Sequence, residues 1–89
     1  MARVSFTAAL RRHVEAPPAR IDGSTVREVL ERYFADRPQV RSYVLDDQGA
    51  VRKHVAIFLN QTPLQDRAAQ SDPVRENDEI YVIQALSGG

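Results

Sequence analysis

The clearest periodicity in this 89-residue sequence occurs once. Between Thr25 and Arg37, Val26, Val29, Leu30, Tyr33 and Phe34 recur at helical spacing and form one apolar stripe. Thr25 followed by Glu28 reads as a capping box, each side chain satisfying an orphan amide of the first turn. Pro38 cannot continue a helix and disfavours helical geometry at Arg37, so the spacing predicts a helix ending there. The remaining apolar runs are short and strand-like. Arg3-Val-Ser-Phe-Thr7 alternates and puts Val4 and Phe6 on one face, and Ala19-Arg-Ile-Asp22 follows the break at Pro17-Pro18. Val55-Ala-Ile-Phe-Leu59 and Ile80-Tyr-Val-Ile83 are β-branched and aromatic. One amphipathic helix covers only one face of a sheet made from these strands. The expected class is α+β, with one main helix packed across a mixed sheet of four to five strands.

The connecting segments carry weaker signals. Ala8 to Arg12 fits a loop or a helical turn equally well, and Val40, Val44 and Leu45 suggest a short second helical turn. Asp46-Asp-Gln-Gly49 and Asn60-Gln-Thr-Pro63 read as turns, with Leu64 opening a short edge strand. Ser71-Asp-Pro73 breaks the chain again. Glu76-Asn-Asp-Glu79 is a tight acidic turn in which Asn77 can take the left-handed conformation. The organisation expected is one domain over residues 1–85 and a flexible tail over 86–89.

Composition closes off several functions. Twelve basic and twelve acidic residues give a formal charge of zero, and the basic residues form no run. Such a balance argues against a nucleic-acid partner, which requires a basic face. The absence of cysteine excludes a disulfide framework, a thiol nucleophile, a persulfide carrier and a cysteine-based zinc site. No apolar run approaches the roughly 20 residues that span a bilayer. A small cytoplasmic domain with no membrane partner is expected.

Little in the sequence suggests intrinsic catalysis. His13 and His54 have no carboxylate spacing that resembles a metal site, and each reads as an ordinary surface or edge histidine. Asp46 and Asp47 are adjacent, so their side chains diverge in a solvated turn. The four glycines, at positions 23, 49, 88 and 89, form no phosphate loop. Two features remain. If the helix covers Val55, Ile57, Leu59, Ile80 and Val82, strand alternation leaves Phe58, Tyr81 and Ile83 on the other face. With Ser5 and Pro63 at its flanks, that face is a candidate docking surface; the plainer alternative is cross-strand stabilisation. The second feature is the ending Leu86-Ser-Gly-Gly89, which extended reaches about 13 Å past the sheet. Glycines let its backbone pass through a narrow channel. The α-carboxylate at its tip, ionised above a pKa of roughly 3.5, can attack the α-phosphate of ATP. Without cysteine, sulfur is carried only as a terminal thiocarboxylate. A frayed terminus is the plainer reading of the ending alone.

Together these pieces resemble the MoaD/ThiS family of ubiquitin-like sulfur carriers, which have the β-grasp fold. The resemblance spans nearly the whole chain. It runs through Val4-Ser-Phe-Thr-Ala-Ala-Leu-Arg11, Gly23-Ser-Thr-Val-Arg-Glu-Val-Leu30, Val55-Ala-Ile-Phe-Leu-Asn-Gln-Thr62, Glu76-Asn-Asp-Glu-Ile80 and Gly88-Gly89. It implies that a ubiquitin-activating-type enzyme adenylates Gly89 and that a sulfurtransferase or cysteine desulfurase supplies sulfur. A recipient biosynthetic enzyme would then take sulfur from the thiocarboxylate. The chain itself would bind no cofactor: ATP and Mg²⁺, and any zinc, would belong to the partner. Leu86, Ser87 and Gly88 would thread into partners, while Phe58, Pro63, Tyr81 and Ile83 would dock. The long segment Pro38 to Lys53 and Arg52-Lys-His-Val-Ala-Ile-Phe-Leu-Asn60 look most similar to carriers that feed a cysteine-synthase-type enzyme. Molybdopterin and thiamine pathways are the alternatives within the family. Two departures stand out. Asn77 replaces the usual glycine of the acidic turn, and Gln84-Ala85 follow the last strand where relatives often have proline. A ubiquitin-like modifier conjugated through Gly89 and a non-catalytic β-grasp interaction domain are the rival expectations.

Overall fold

The computed structural model describes residues 1–84; the expectations attached to Ala85, Leu86, Ser87, Gly88 and Gly89 lie outside the described residues. Five strands form one sheet in the order β2-β1-β5-β3-β4. They are β1 (Ala2–Phe6), β2 (Ala19–Ile21), β3 (Val55–Leu59), β4 (Thr62–Pro63) and β5 (Glu79–Gln84). The central pair, β1 and β5, is parallel, and the other pairings are antiparallel. Three helices, α1 (Ala8–Arg11), α2 (Val26–Phe34) and α3 (Pro38–Val44), complete the fold. The expected class is the one observed.

The predicted stripe is the buried face of α2: Val26, Val29, Leu30, Tyr33 and Phe34 are all in the core. They pack on the alternate residues Val4, Phe6, Ile57, Ile80 and Val82, so the sheet buries one face by strand alternation. Phe6 and Tyr33 make a tilted ring pair with centroids 5.2 Å apart.

Thr25 caps α2, its Oγ1 accepting from the Glu28 amide at 3.1 Å. Glu28 returns the contact one residue earlier than a standard capping box would: its Oε1 accepts from the Ser24 amide at 2.9 Å. Thr25 is itself drawn into a β-bridge with Pro73. The two other free amides of the first turn are satisfied by the distant loop, Val26 donating to Asp72 O and Arg27 to Gln70 O. That loop is braced by the one fully buried polar side chain among the described residues, Gln70. Its Nε2 donates to Gly49 O and Arg67 O, and Arg27 donates to its Oε1.

Three boundaries differ from expectation. α2 ends at Phe34, not Arg37, because residues 35–37 turn the chain into α3. Arg37 takes φ −140°, ψ 67° before Pro38, and its amide makes a tighter bond back to Phe34 O. Pro38, expected only as a stop, also opens α3 at a position where a missing N–H costs nothing. The short edge strand begins at Thr62 rather than Leu64. Leu64 instead turns inward, buried, with its amide on Ile57 O at 2.9 Å. The ambiguous segment after β1 is a helical turn, α1. Asn77 does adopt the left-handed conformation, with φ 70°.

Candidate functional site

The outer face of the sheet follows from the register of three pairings. Ser5 of β1 lies beside Tyr81 of β5, Tyr81 opposite Phe58 of β3, and Phe58 opposite Pro63 of β4. Directly paired residues share a face, so these four form one row across four strands. Ile83 stands in the next outward row, opposite Ala56 and closer to where β5 ends. The predicted set Phe58, Pro63, Tyr81 and Ile83 is therefore brought together as a contiguous apolar patch. Tyr81 is 39% exposed, a high value for a large aromatic, whereas its neighbours Ile80 and Val82 are at 0%. Pro63 fits an edge strand because it has no N–H to leave unpaired there.

One end of this face is polar and fixed. Asn60, at φ 58°, donates its backbone amide to Glu79 O at 2.7 Å. Its side chain accepts from the Glu79 amide and donates to Asp78 Oδ1. At the other end the chain leaves β5 toward Gly89. Gly89 and the threading residues Leu86, Ser87 and Gly88 lie outside the described residues.

A cluster that sequence reasoning missed sits beside that exit. Tyr43 of α3 donates its hydroxyl to Gln84 Oε1 at 2.7 Å. Its ring stacks on His13 with centroids 5.6 Å apart and meets His54 edge-on at 5.2 Å. The two histidines read separately as ordinary surface residues are thus partners of one tyrosine. No spacing signal could have revealed this, because positions 13, 43, 54 and 84 come together only through the fold.

Three carboxylates are engaged structurally. Arg41 donates to Glu31 Oε1 at 3.0 Å and holds the Glu31 carboxyl below its usual range. Backbone donors from Ala50 and Gln48 do the same for Asp46, making it the cap of its turn. Ser71 and the Ala69 amide lower Asp66. Among the described residues no group of three or more His, Asp or Glu side chains is placed to hold a metal ion. An open groove lined by His13, Glu15, Asp36 and Arg37 includes no residue of the apolar row. Among the described residues no helix is long and apolar enough to cross a membrane.

The sequence model of the ThiS family matches residues 4–89. No curated protein matches by sequence. Among solved structures, the Amycolatopsis orientalis BexX/CysO complex is similar at 17% identity and TM-score 0.81, covering 100% of both chains. Mycobacterium tuberculosis CysO, described as an antigen, is 18% identical with TM-score 0.79, covering 97% of this chain and 100% of its own. The small archaeal modifier protein 1 of Methanosarcina acetivorans is 20% identical with TM-score 0.79, covering 99% of this chain and 95% of its own. At these identities the structural likenesses establish the fold, a ubiquitin-like β-grasp.

Proposed function

The chain belongs to the ThiS family, and on that premise we propose that it is a sulfur carrier protein reacting through the Gly89 α-carboxylate. In the proposed cycle a ubiquitin-activating-type enzyme supplies ATP and Mg²⁺. A carboxylate oxygen of Gly89 attacks the α-phosphorus, pyrophosphate leaves, and an acyl-adenylate forms. The persulfide sulfur of a sulfurtransferase or cysteine desulfurase then attacks the acyl carbon, and AMP departs to leave an acyl disulfide. A second thiol reduces that bond, releasing the thiocarboxylate and leaving a disulfide on the donor. A recipient biosynthetic enzyme takes that sulfur toward cysteine or a related thio-metabolite, with molybdopterin and thiamine as the competing products. The chain is a co-substrate of these cytoplasmic enzymes, and its own side chains perform none of the bond-making.

The observation that carries this reading is the family match, which runs through Gly88-Gly89. Two features agree with it. The chain has no cysteine, so a terminal thiocarboxylate is its one means of carrying sulfur covalently. The apolar row of Phe58, Pro63 and Tyr81, with Ile83 beside the chain exit, suits a partner that covers the outer face while Leu86, Ser87 and Gly88 enter its active site.

A second reading, a modifier joined to a lysine through the same adenylate, is favoured by the fold shared with a small archaeal modifier protein. An exchange assay tests the first step common to both. With the adenylating enzyme of the native cells, the full chain should support ATP–pyrophosphate exchange, and a chain ending at Ser87 should support none while melting at the same temperature. Exchange by the truncated chain would contradict both readings and leave a plain interaction domain. Higher-mass conjugates in lysate, without a thiocarboxylate, would select the modifier.

A further inference from the structure

The end of β5 is restrained by a side chain that the sheet does not require. Gln84, the last described residue, is already paired with Val55 of β3. Its amide also donates to Thr7 Oγ1 at 3.4 Å. The Gln84 side chain is held separately, by the Tyr43 hydroxyl at 2.7 Å. Tyr43 is in turn bracketed. His13, just after α1, lies against its ring with planes 18° apart, and His54, just before β3, meets it at 89°. Four segments distant in sequence meet at one tyrosine, its ring between two histidines and its hydroxyl on Gln84, the residue after which the C-terminal segment begins.

Tyr43 is only half-buried and sits at the rim of the core. Removing its hydroxyl therefore leaves core packing intact. The sequence from Gln84 to Gly89 contains no proline, so no ring fixes the backbone at the point of departure. A segment that must enter a partner's site binds with an apparent affinity reduced by the fraction of its conformations able to enter. Restraining the residue at its root raises that fraction.

We infer that Tyr43 is a positioning residue: bracketed by His13 and His54, its hydroxyl anchors Gln84 and so restrains the root of the segment that the activating enzyme must engage. The inference rests on the carrier reading, and it assigns a role to a cluster outside the docking row.

The exchange assay with the native cells' adenylating enzyme separates the two. Tyr43→Phe keeps both ring contacts and loses only the hydroxyl. One hydrogen bond of ordinary strength predicts about a fivefold rise in the KM for the chain. The kcat should be unchanged, because the bound complex is the same. Gln84→Leu should reproduce that rise, and the double variant should be no worse than either single one. Ala85→Pro, placed in the Tyr43→Phe background, should restore the KM, since proline fixes φ at 85 and biases residue 84 toward extended geometry. Tyr33→Phe is the control. It removes the bond from Tyr33 to Pro17 O on the helix side, 2.6 Å long, and should lower the melting temperature without moving the KM. An unchanged KM for Tyr43→Phe overturns the inference, as does an equal rise for Tyr33→Phe. Absence of exchange with the unaltered chain overturns the carrier reading, and this inference with it.

Discussion

Gln70 shows how much one residue can hold. It is fully buried, in a left-handed conformation at φ 51°, and its amide nitrogen serves two carbonyls on different loops. Gln70→Leu keeps the volume but removes both the Nε2 donor and the Oε1 acceptor, so Gly49 O, Arg67 O and the Arg27 guanidinium each lose a partner. Chemical denaturation should show a loss of about 1–3 kcal/mol with an unchanged m-value. An unchanged midpoint would mean that water replaces the side chain at no cost. Ile83 poses the opposite case. It is half-buried on the outer face opposite Ala56, so Ile83→Asp should leave the domain folded. The same change should weaken the adenylating partner tenfold or more, because about 1.4 kcal/mol or more is lost when a charge is desolvated in an interface. Intact folding with unaltered affinity, measured by calorimetry, would remove Ile83 from the docking surface.

At the scale of elements, what was legible in the sequence tracks how local the determining physics is. The stripe and cap of α2, the four main strands and the left-handed Asn77 depend on residues within a few positions of each other, and they were readable. Asn60-Gln-Thr-Pro63 reads as a turn, yet Thr62 and Pro63 form an edge strand, which tolerates proline. The end of α2 was set by the need to turn into α3, and the Tyr43 cluster by contacts spanning most of the chain; neither leaves a local signature. The outward row was legible because strand alternation is local, and the pairing register then supplied the one missing fact, which residues stand opposite. The loop feeding the N-terminus of α2 gives a pH prediction. Asp66, Asp46 and Glu31 are all held below their ordinary values of 3.8, 3.8 and 4.5. The unfolded chain therefore binds more protons than the folded one in acid. The stability these groups contribute is whole above about pH 5 and is lost as pH falls through and below their ordinary values. Asp66→Asn should flatten that acid slope, read from melting temperatures at successive pH values. A slope unaltered by the substitution would show that the Ser71 and Ala69 contacts leave folding and proton binding uncoupled.

For the whole molecule, the sheet has two faces with different surroundings. One is sealed by α2 and the core. The other presents Ser5, Tyr81, Phe58 and Pro63 in a line, with Ile83 beside the exit of the chain. Nothing in the family assignment requires this domain to do chemistry with its own side chains, and in the proposed cycle the reacting group is the Gly89 carboxylate. The intact mass of the chain recovered from its native cells decides whether it carries sulfur. A sulfur carrier should yield a species in which one oxygen is replaced by sulfur, localised by fragmentation to the C-terminal peptide containing Gly89. Only the oxygen form, persisting after incubation with ATP, a sulfur source and the cells' adenylating enzymes, would contradict the carrier reading.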